Sequence, residues 1–189
     1  MKIAISAFAL PPCLPTVLLT AAFMLSCGLS LAAEQPVSNS VELQREAMHK
    51  LSFLAGHWSG SATIVQATGE ALHLKQTEDV EYKLDGLVLL IEGKSTDADG
   101  RVRFNALATV AYDDASRTYR FRAYNEGHYL DTELSVPANG FSWSFTAGPA
   151  HIVNTMHLTG NGEWDEITEV IVGSNPPHRS VDIELQHQP

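Results

Sequence analysis

Eight histidines are the side chains of this chain best suited to bind a metal or to move a proton near neutral pH. They lie at positions 49, 57, 73, 128, 151, 157, 178 and 187. Zinc motifs pair histidines as His-x-His or His-Glu-x-x-His, and neither spacing occurs. His157 shares a face of a predicted strand with Val153 and Thr155, so it is either a polar group of an interior pocket or a surface histidine. We predict no metal site.

Carboxylates are concentrated in a second segment, at Glu163, Asp165, Glu166 and Glu169. Two carboxyl groups that face one cavity can act as general acid and general base. In an extended chain Glu166 lies on the same face as Trp164, whereas Glu169 lies on the other face. An inward acid–base set and a solvated outer face are both open readings, and we predict the solvated face.

Arginines form a third group, at positions 101, 103, 120 and 122. Interior arginines could hold the carboxylate of a bound ligand. Arg120 and Arg122, however, alternate with the more apolar Tyr119, Phe121 and Ala123. We therefore predict that the arginines point outward and pair with acidic surface groups.

Signatures of nucleophilic or phosphate chemistry are missing from the sequence. It contains no glycine-rich phosphate loop and no Gly-x-Ser-x-Gly. Both cysteines, Cys13 and Cys27, fall in the N-terminal leader, so the rest of the chain has neither thiol nor disulfide chemistry. We predict no catalytic residue and no cofactor.

The N-terminus is typical of a secretory signal. Lys2 precedes an apolar run at 14–25, and small residues follow at Ala32 and Ala33. We predict a signal peptide at 1–33, cleaved after Ala32 or Ala33, a linker at 34–40, and a periplasmic or secreted protein. Two alternatives stay open: a permanent membrane anchor, and lipid attachment at Cys27.

Charge narrows the choice of partners. Without the leader the chain has 11 basic and 22 acidic residues, a net charge of −11. Such a surface repels nucleic-acid phosphates and anionic lipid headgroups. We expect no nucleic-acid partner and no stable membrane span in the mature form, and the sequence does not fix the oligomeric state.

The spacing of apolar residues changes from a helical to a strand pattern at Gly56. Apolar residues at helical spacing, such as Leu43, Ala47 and Leu51, predict a leading helix at 41–55. After Gly56 the pattern alternates with period two between short turns, which predicts about 9–10 strands. We predict an all-β, up-and-down antiparallel lipocalin-like barrel at 41–189 with an N-terminal capping helix, since closure removes exposed sheet edges.

Three motifs carry a family resemblance. The segment Phe53-Leu54-Ala55-Gly56-His57-Trp58 is followed by Tyr112-Asp113 with Tyr119, and then by Trp164 with Glu169. In order and spacing they resemble a bacterial secreted lipocalin-like family of unknown function, over residues 42–186. That family belongs with the lipocalin, fatty-acid-binding protein and nitrobindin-like barrels. The resemblance implies an interior ligand site, and for His157 it implies a haem-ligand reading besides the surface one. The sequence departs from the family at Ala123, where a tryptophan is frequent.

These patterns together favour a ligand-binding barrel. We expect a small apolar or amphipathic ligand, and an enzyme is the less favoured reading. The candidate binding residues are Trp58, Tyr82, Asn105, Tyr119, Trp143 and His157. Two alternatives from other classes are a small-barrel enzyme of the isomerase or cyclase type and an interaction module with a filled interior. The number of polar side chains inside a real cavity distinguishes these classes: a dry cavity favours binding, two or more convergent titratable groups favour an enzyme, and a lumen filled by apolar side chains favours the interaction module.

Overall fold

Ten antiparallel strands close into one barrel behind a short helix. The computed structural model describes residues 37–66 and 68–189. The elements are α1 (Val37–His49), β1 (Gly56–Val65), β2 (Ala71–Lys83), β3 (Val88–Thr96), β4 (Val102–Asp113), β5 (Thr118–Asn125), β6 (His128–Ser135), β7 (Gly140–Ala147), β8 (Ala150–Leu158), β9 (Trp164–Val172) and β10 (His178–Gln188). Each strand pairs with the next, and β1 pairs with β10. The predicted up-and-down barrel with a capping helix is confirmed.

The helix differs from the prediction at both ends. It begins at Val37, inside the expected linker, and ends at His49, after which Ser52–Leu54 form a short 3-10 helix. Gly56 is the first residue of β1 and has a φ of 131°, which side chains rarely allow. The glycine therefore makes the corner between the helical segment and the barrel. The predicted signal peptide at 1–33 lies outside the described residues.

The helical segment closes one end of the barrel. Met48, Leu51 and Leu54 are fully buried there. Carbonyl groups in the last turn of a helix have no partner within the helix. Here the Ala47 and Met48 carbonyl groups accept from the backbone N–H groups of Lys50 and Leu51 just beyond the helix. Each also accepts from a tyrosine: Tyr82 Oη donates to the Met48 carbonyl at 2.7 Å, and Tyr119 Oη donates to the Ala47 carbonyl at 2.8 Å. The helix is thereby fastened to β2 and β5.

Trp58 lies directly beneath this helical segment. Its side chain is 2% exposed, and its Nε1 donates to the Leu54 carbonyl at 2.8 Å. Its ring meets Trp164 edge-on, with the ring centroids 5.6 Å apart. The helix, the two tryptophans and their apolar neighbours fill this half of the interior.

Candidate functional site

The other half of the interior contains a cavity of about 320 Å³. Its lining includes Phe104 at the start of β4, Asn125 at the end of β5 and Phe145 near the end of β7. These strand ends lie opposite the end that α1 closes, and Phe104 is partly exposed there. The cavity thus runs from a mouth at the open end down to Trp164, which belongs to the filled half.

Small residues create the space, and aromatic residues wall it. Ala108 on β4 pairs with Ala123 on β5, and both line the cavity. Trp143 also lines it and stacks between Phe121 and Phe145, with ring centroids 5.2 and 5.9 Å away. Side chains of this size on β4 and β5 leave an apolar chamber of the kind that holds small ligands.

A carboxyl group, that of Glu78, lies in this apolar chamber. Its register partners are Trp58 on β1 and Gly93 on β3, and its side chain is 8% exposed. Gly93 provides the room: a Cβ there would lie 2.8 Å from both oxygens of the carboxyl group. Gln76 Nε2 donates to Glu78 Oε1 at 2.6 Å, and Gln76 Oε1 in turn accepts from Ser95 Oγ.

Burial raises the pKa of Glu78 to about 8, with a further contribution from the negative charge of Glu166. The hydrogen bond from Gln76 acts in the opposite direction and is outweighed. Desolvation disfavours the ionised form of any carboxyl group, which is why its proton is held at neutral pH. Glu78 is therefore mostly a neutral acid at neutral pH.

Glu166 on β9 is the second carboxyl group of the chamber. Trp164 Nε1 donates to its Oε2 at 2.7 Å, and Asn154 Nδ2 donates to its Oε1 at 2.8 Å. Burial raises the pKa of Glu166, while both of these hydrogen bonds lower it. Since each oxygen already accepts from a group that can only donate, the negative charge of the pair is better placed on Glu166 and the proton on Glu78.

Asn154 leaves one polar atom without a partner. The residue is 3% exposed, and its Nδ2 also donates to Thr168 Oγ1 at 3.0 Å. Its Oδ1 is the one buried side-chain oxygen or nitrogen in the described chain that has no hydrogen bond. An unpaired buried acceptor is costly, so this corner beside Glu166 lacks a donor.

Of the six predicted binding residues, the structure brings one to the cavity. Trp143 lines it, whereas Trp58 lies in the filled half of the interior. Tyr82 and Tyr119 also face inward, but their hydroxyl groups hold the helix. Burial raises the pKa of both tyrosines, in keeping with a permanent hydrogen-bonding role as neutral phenols.

Asn105 and His157 do not face the lumen. Both are exposed on the outer surface, and His157 Nε2 lies 3.5 Å from Asp165 Oδ2. The interior residues of β8 are Asn154 and Met156, so of the two readings of His157 the surface one holds. Both faces of this strand carry polar and apolar residues, and alternation alone could not separate them.

The arginines lie outside, as expected. Arg122 Nε donates to Asp131 Oδ2 at 3.0 Å, and Arg120 also pairs with this carboxylate. These contacts lower the pKa of Asp131. None of the residues that line the cavity is a lysine, an arginine or a histidine.

Sequence reasoning missed the polar side of the chamber. Glu166 was assigned to a solvated face, and that interpretation is wrong, because its carboxyl group faces the lumen. Glu78 was not considered, although it shares an alternating face with Val80 and Tyr82. That period-two pattern is the signal that could have identified it.

A larger depression, of about 650 Å³, lies on the outer surface of strands β2 to β6. Its lining mixes the exposed Tyr124 and Tyr129 with charged groups such as Asp79 and Lys94. Because the depression is open and charged, an apolar ligand bound there would bury less of its surface away from water than one bound in the lumen.

Two further features concern metals and membranes. Within residues 37–66 and 68–189, no group of three or more histidine, cysteine, aspartate or glutamate side chains could hold a metal ion. In the same residues no helix is both long enough and apolar enough to cross a membrane.

Comparisons with known proteins support the fold. No protein-family model and no curated protein sequence matches the chain. Among solved structures, it is similar to the crystal structure of Rv2717c from M. tuberculosis, with a TM-score of 0.57 and 13% identity. The match covers 76% of this chain and 98% of that one. At this identity the likeness extends to the barrel fold and no further.

Proposed function

We propose that this protein is an exported carrier that binds a small apolar or amphipathic molecule inside the barrel. The observation that carries the proposal is the chamber of about 320 Å³ walled by Phe121, Trp143 and Phe145. Burying ~200 Å² of apolar ligand surface at ~25 cal/mol per Å² yields about 5 kcal/mol. Micromolar binding needs about 8 kcal/mol, so polar contacts inside the lumen have to supply the remainder.

Titration with a neutral, environment-sensitive dye such as Nile red tests this proposal. We expect saturable binding with a stoichiometry of one. Ala123→Phe places a ring in the chamber and is expected to weaken binding by about tenfold or more. Ala111→Phe is the matched control, because it adds the same ring on the outer face of β4. Its neighbours Val110 and Tyr112 face the core, so the Ala111 side chain points away from it.

Ala106→Phe is a second way to fill the chamber, useful if Ala123→Phe does not fold. Unchanged affinity in a folded chamber-filling variant, or no saturable binding by the wild-type protein, contradicts the proposal.

Export is part of the proposal and has its own test. The apolar run at 14–25 and the small residues at Ala32 and Ala33 support it. We expect the intact mass of the exported protein to correspond to cleavage near Ala32 or Ala33. Retention of the full chain contradicts export, and a lipid-modified N-terminal Cys27 contradicts cleavage near Ala32 or Ala33.

A second candidate function is proton transfer on a bound substrate. The observation that favours it is the pair of carboxyl groups, since an acid that keeps its proton and a neighbouring carboxylate are the parts of acid–base catalysis. If this function holds, the protein exchanges the α-hydrogens of an apolar ketone such as methyl octyl ketone in heavy water, and Glu166→Gln abolishes the exchange. Exchange no faster than in buffer alone contradicts proton transfer and leaves the carrier function standing. The chamber itself counts against a module with a filled interior.

A further inference from the structure

We propose that the ligand of the lumen carries a protonated amine on an apolar body, and that this amine binds at the deep end of the chamber between Glu78 and Glu166. The inference rests on the proposed carrier function and specifies the chemistry of its ligand.

The charge of the chamber is the first reason. Its lining contains two carboxyl groups and no basic side chain, and Arg120 and Arg122 are engaged outside by Asp131. A fatty acid would bring a third carboxyl group into this lumen with no cation to receive it. An ammonium group would instead compensate the buried negative charge, which is costly when left unpaired.

The hydrogen-bonding groups at the deep end are the second reason. The Glu166 carboxylate lines this end of the chamber, and each of its oxygens keeps acceptor capacity beyond the single bond from Trp164 or Asn154. Asn154, whose Oδ1 is buried without a partner, is hydrogen-bonded to Glu166 but is not part of the lining. An ammonium group has three donors and no acceptor, whereas a carboxylate ligand would find one donor there, the carboxyl O–H of Glu78, beside the negative charge of Glu166.

The position of these groups is the third reason. Glu78 pairs in register with Trp58, and Glu166 is hydrogen-bonded to Trp164, so both carboxyl groups lie next to the tryptophan pair that floors the chamber. Phe104 and Phe145 lie toward the mouth. A ligand with one cationic end therefore fits with its amine inward and its apolar chain along the aromatic wall.

Calorimetric titration with three ligands of equal chain length tests the inference: decylamine, decanol and decanoate, at neutral pH and below their aggregation concentrations. We expect decylamine to bind about tenfold or more tightly than decanol, and decanoate to bind most weakly. Glu166→Gln is expected to weaken decylamine binding by about tenfold to a hundredfold, because a charge-assisted contact is lost. The same change is expected to leave decanol within about threefold.

Glu92→Gln is the matched control, because it removes one negative charge from the outer face of β3. It is expected to leave all three affinities unchanged, and Glu78→Gln serves as the second lumen variant if Glu166→Gln does not fold. Decanol binding without a preference for decylamine, or a preference that Glu166→Gln and Glu78→Gln both retain, overturns the inference and leaves the carrier function standing. Absence of binding by all three ligands overturns both.

Discussion

Replacing Trp58 by alanine is expected to lower the free energy of unfolding by about 3–5 kcal/mol, the range for deleting a large buried aromatic side chain. The indole is 2% exposed and packs against Trp164 and His187. Its Nε1 also holds the Leu54 carbonyl, so the substitution removes packing and a buried hydrogen bond together.

Urea unfolding of Trp58→Ala measures this loss. Tyr129→Ala is the control, because Tyr129 is 72% exposed and its removal is expected to change stability by about 0.5 kcal/mol or less. A Trp58→Ala midpoint equal to that of the wild type would show that the tryptophan does not join the helical segment to the barrel.

The stability of the protein is expected to fall as pH rises from about 4.5 to about 8. The pKa of Glu78 rises from 4.5 to about 8 in the folded protein, owing first to burial and then to the charges of Glu166 and Asp79. Between these values the folded state binds more protons than the unfolded state, so each increase in pH favours unfolding. The full loss is about 5 kcal/mol, reached above pH ~8.

Glu78→Gln tests this dependence. The variant keeps the size of the side chain and has no proton to lose, so it is expected to show a much flatter stability profile over this range and to exceed the wild type at high pH. Glu92→Gln, on the outer face of β3, is expected to retain the wild-type slope. An unchanged slope in Glu78→Gln contradicts a buried, protonated carboxyl group at this position.

The barrel could be predicted because its signals are local. Alternation along strands such as 104–112 and the turns between strands fix the fold class without knowledge of any contact. The inward face of β5 was also predictable, since Tyr119 and Phe121 are more apolar than the arginines between them.

The chamber could be predicted only in part. Ala106, Ala108 and Ala123 leave the space on β4 and β5, but the polar groups that give the lumen its chemistry come from three separate strands. Glu78 lies on β2, Asn154 on β8 and Glu166 on β9, and only closure of the barrel brings them to one interior. A single acidic residue in a strand is usually solvated, so its burial depends on neighbours far away in the sequence.

The most direct test of the account is a crystal structure of the protein saturated with decylamine. We expect the apolar chain to lie in the chamber between Trp143 and Ala123, with the nitrogen about 3 Å from an oxygen of Glu166 or Glu78. Decylamine bound in the outer depression beside Tyr124 and Tyr129, or in the lumen with its amine at the mouth, would contradict the account.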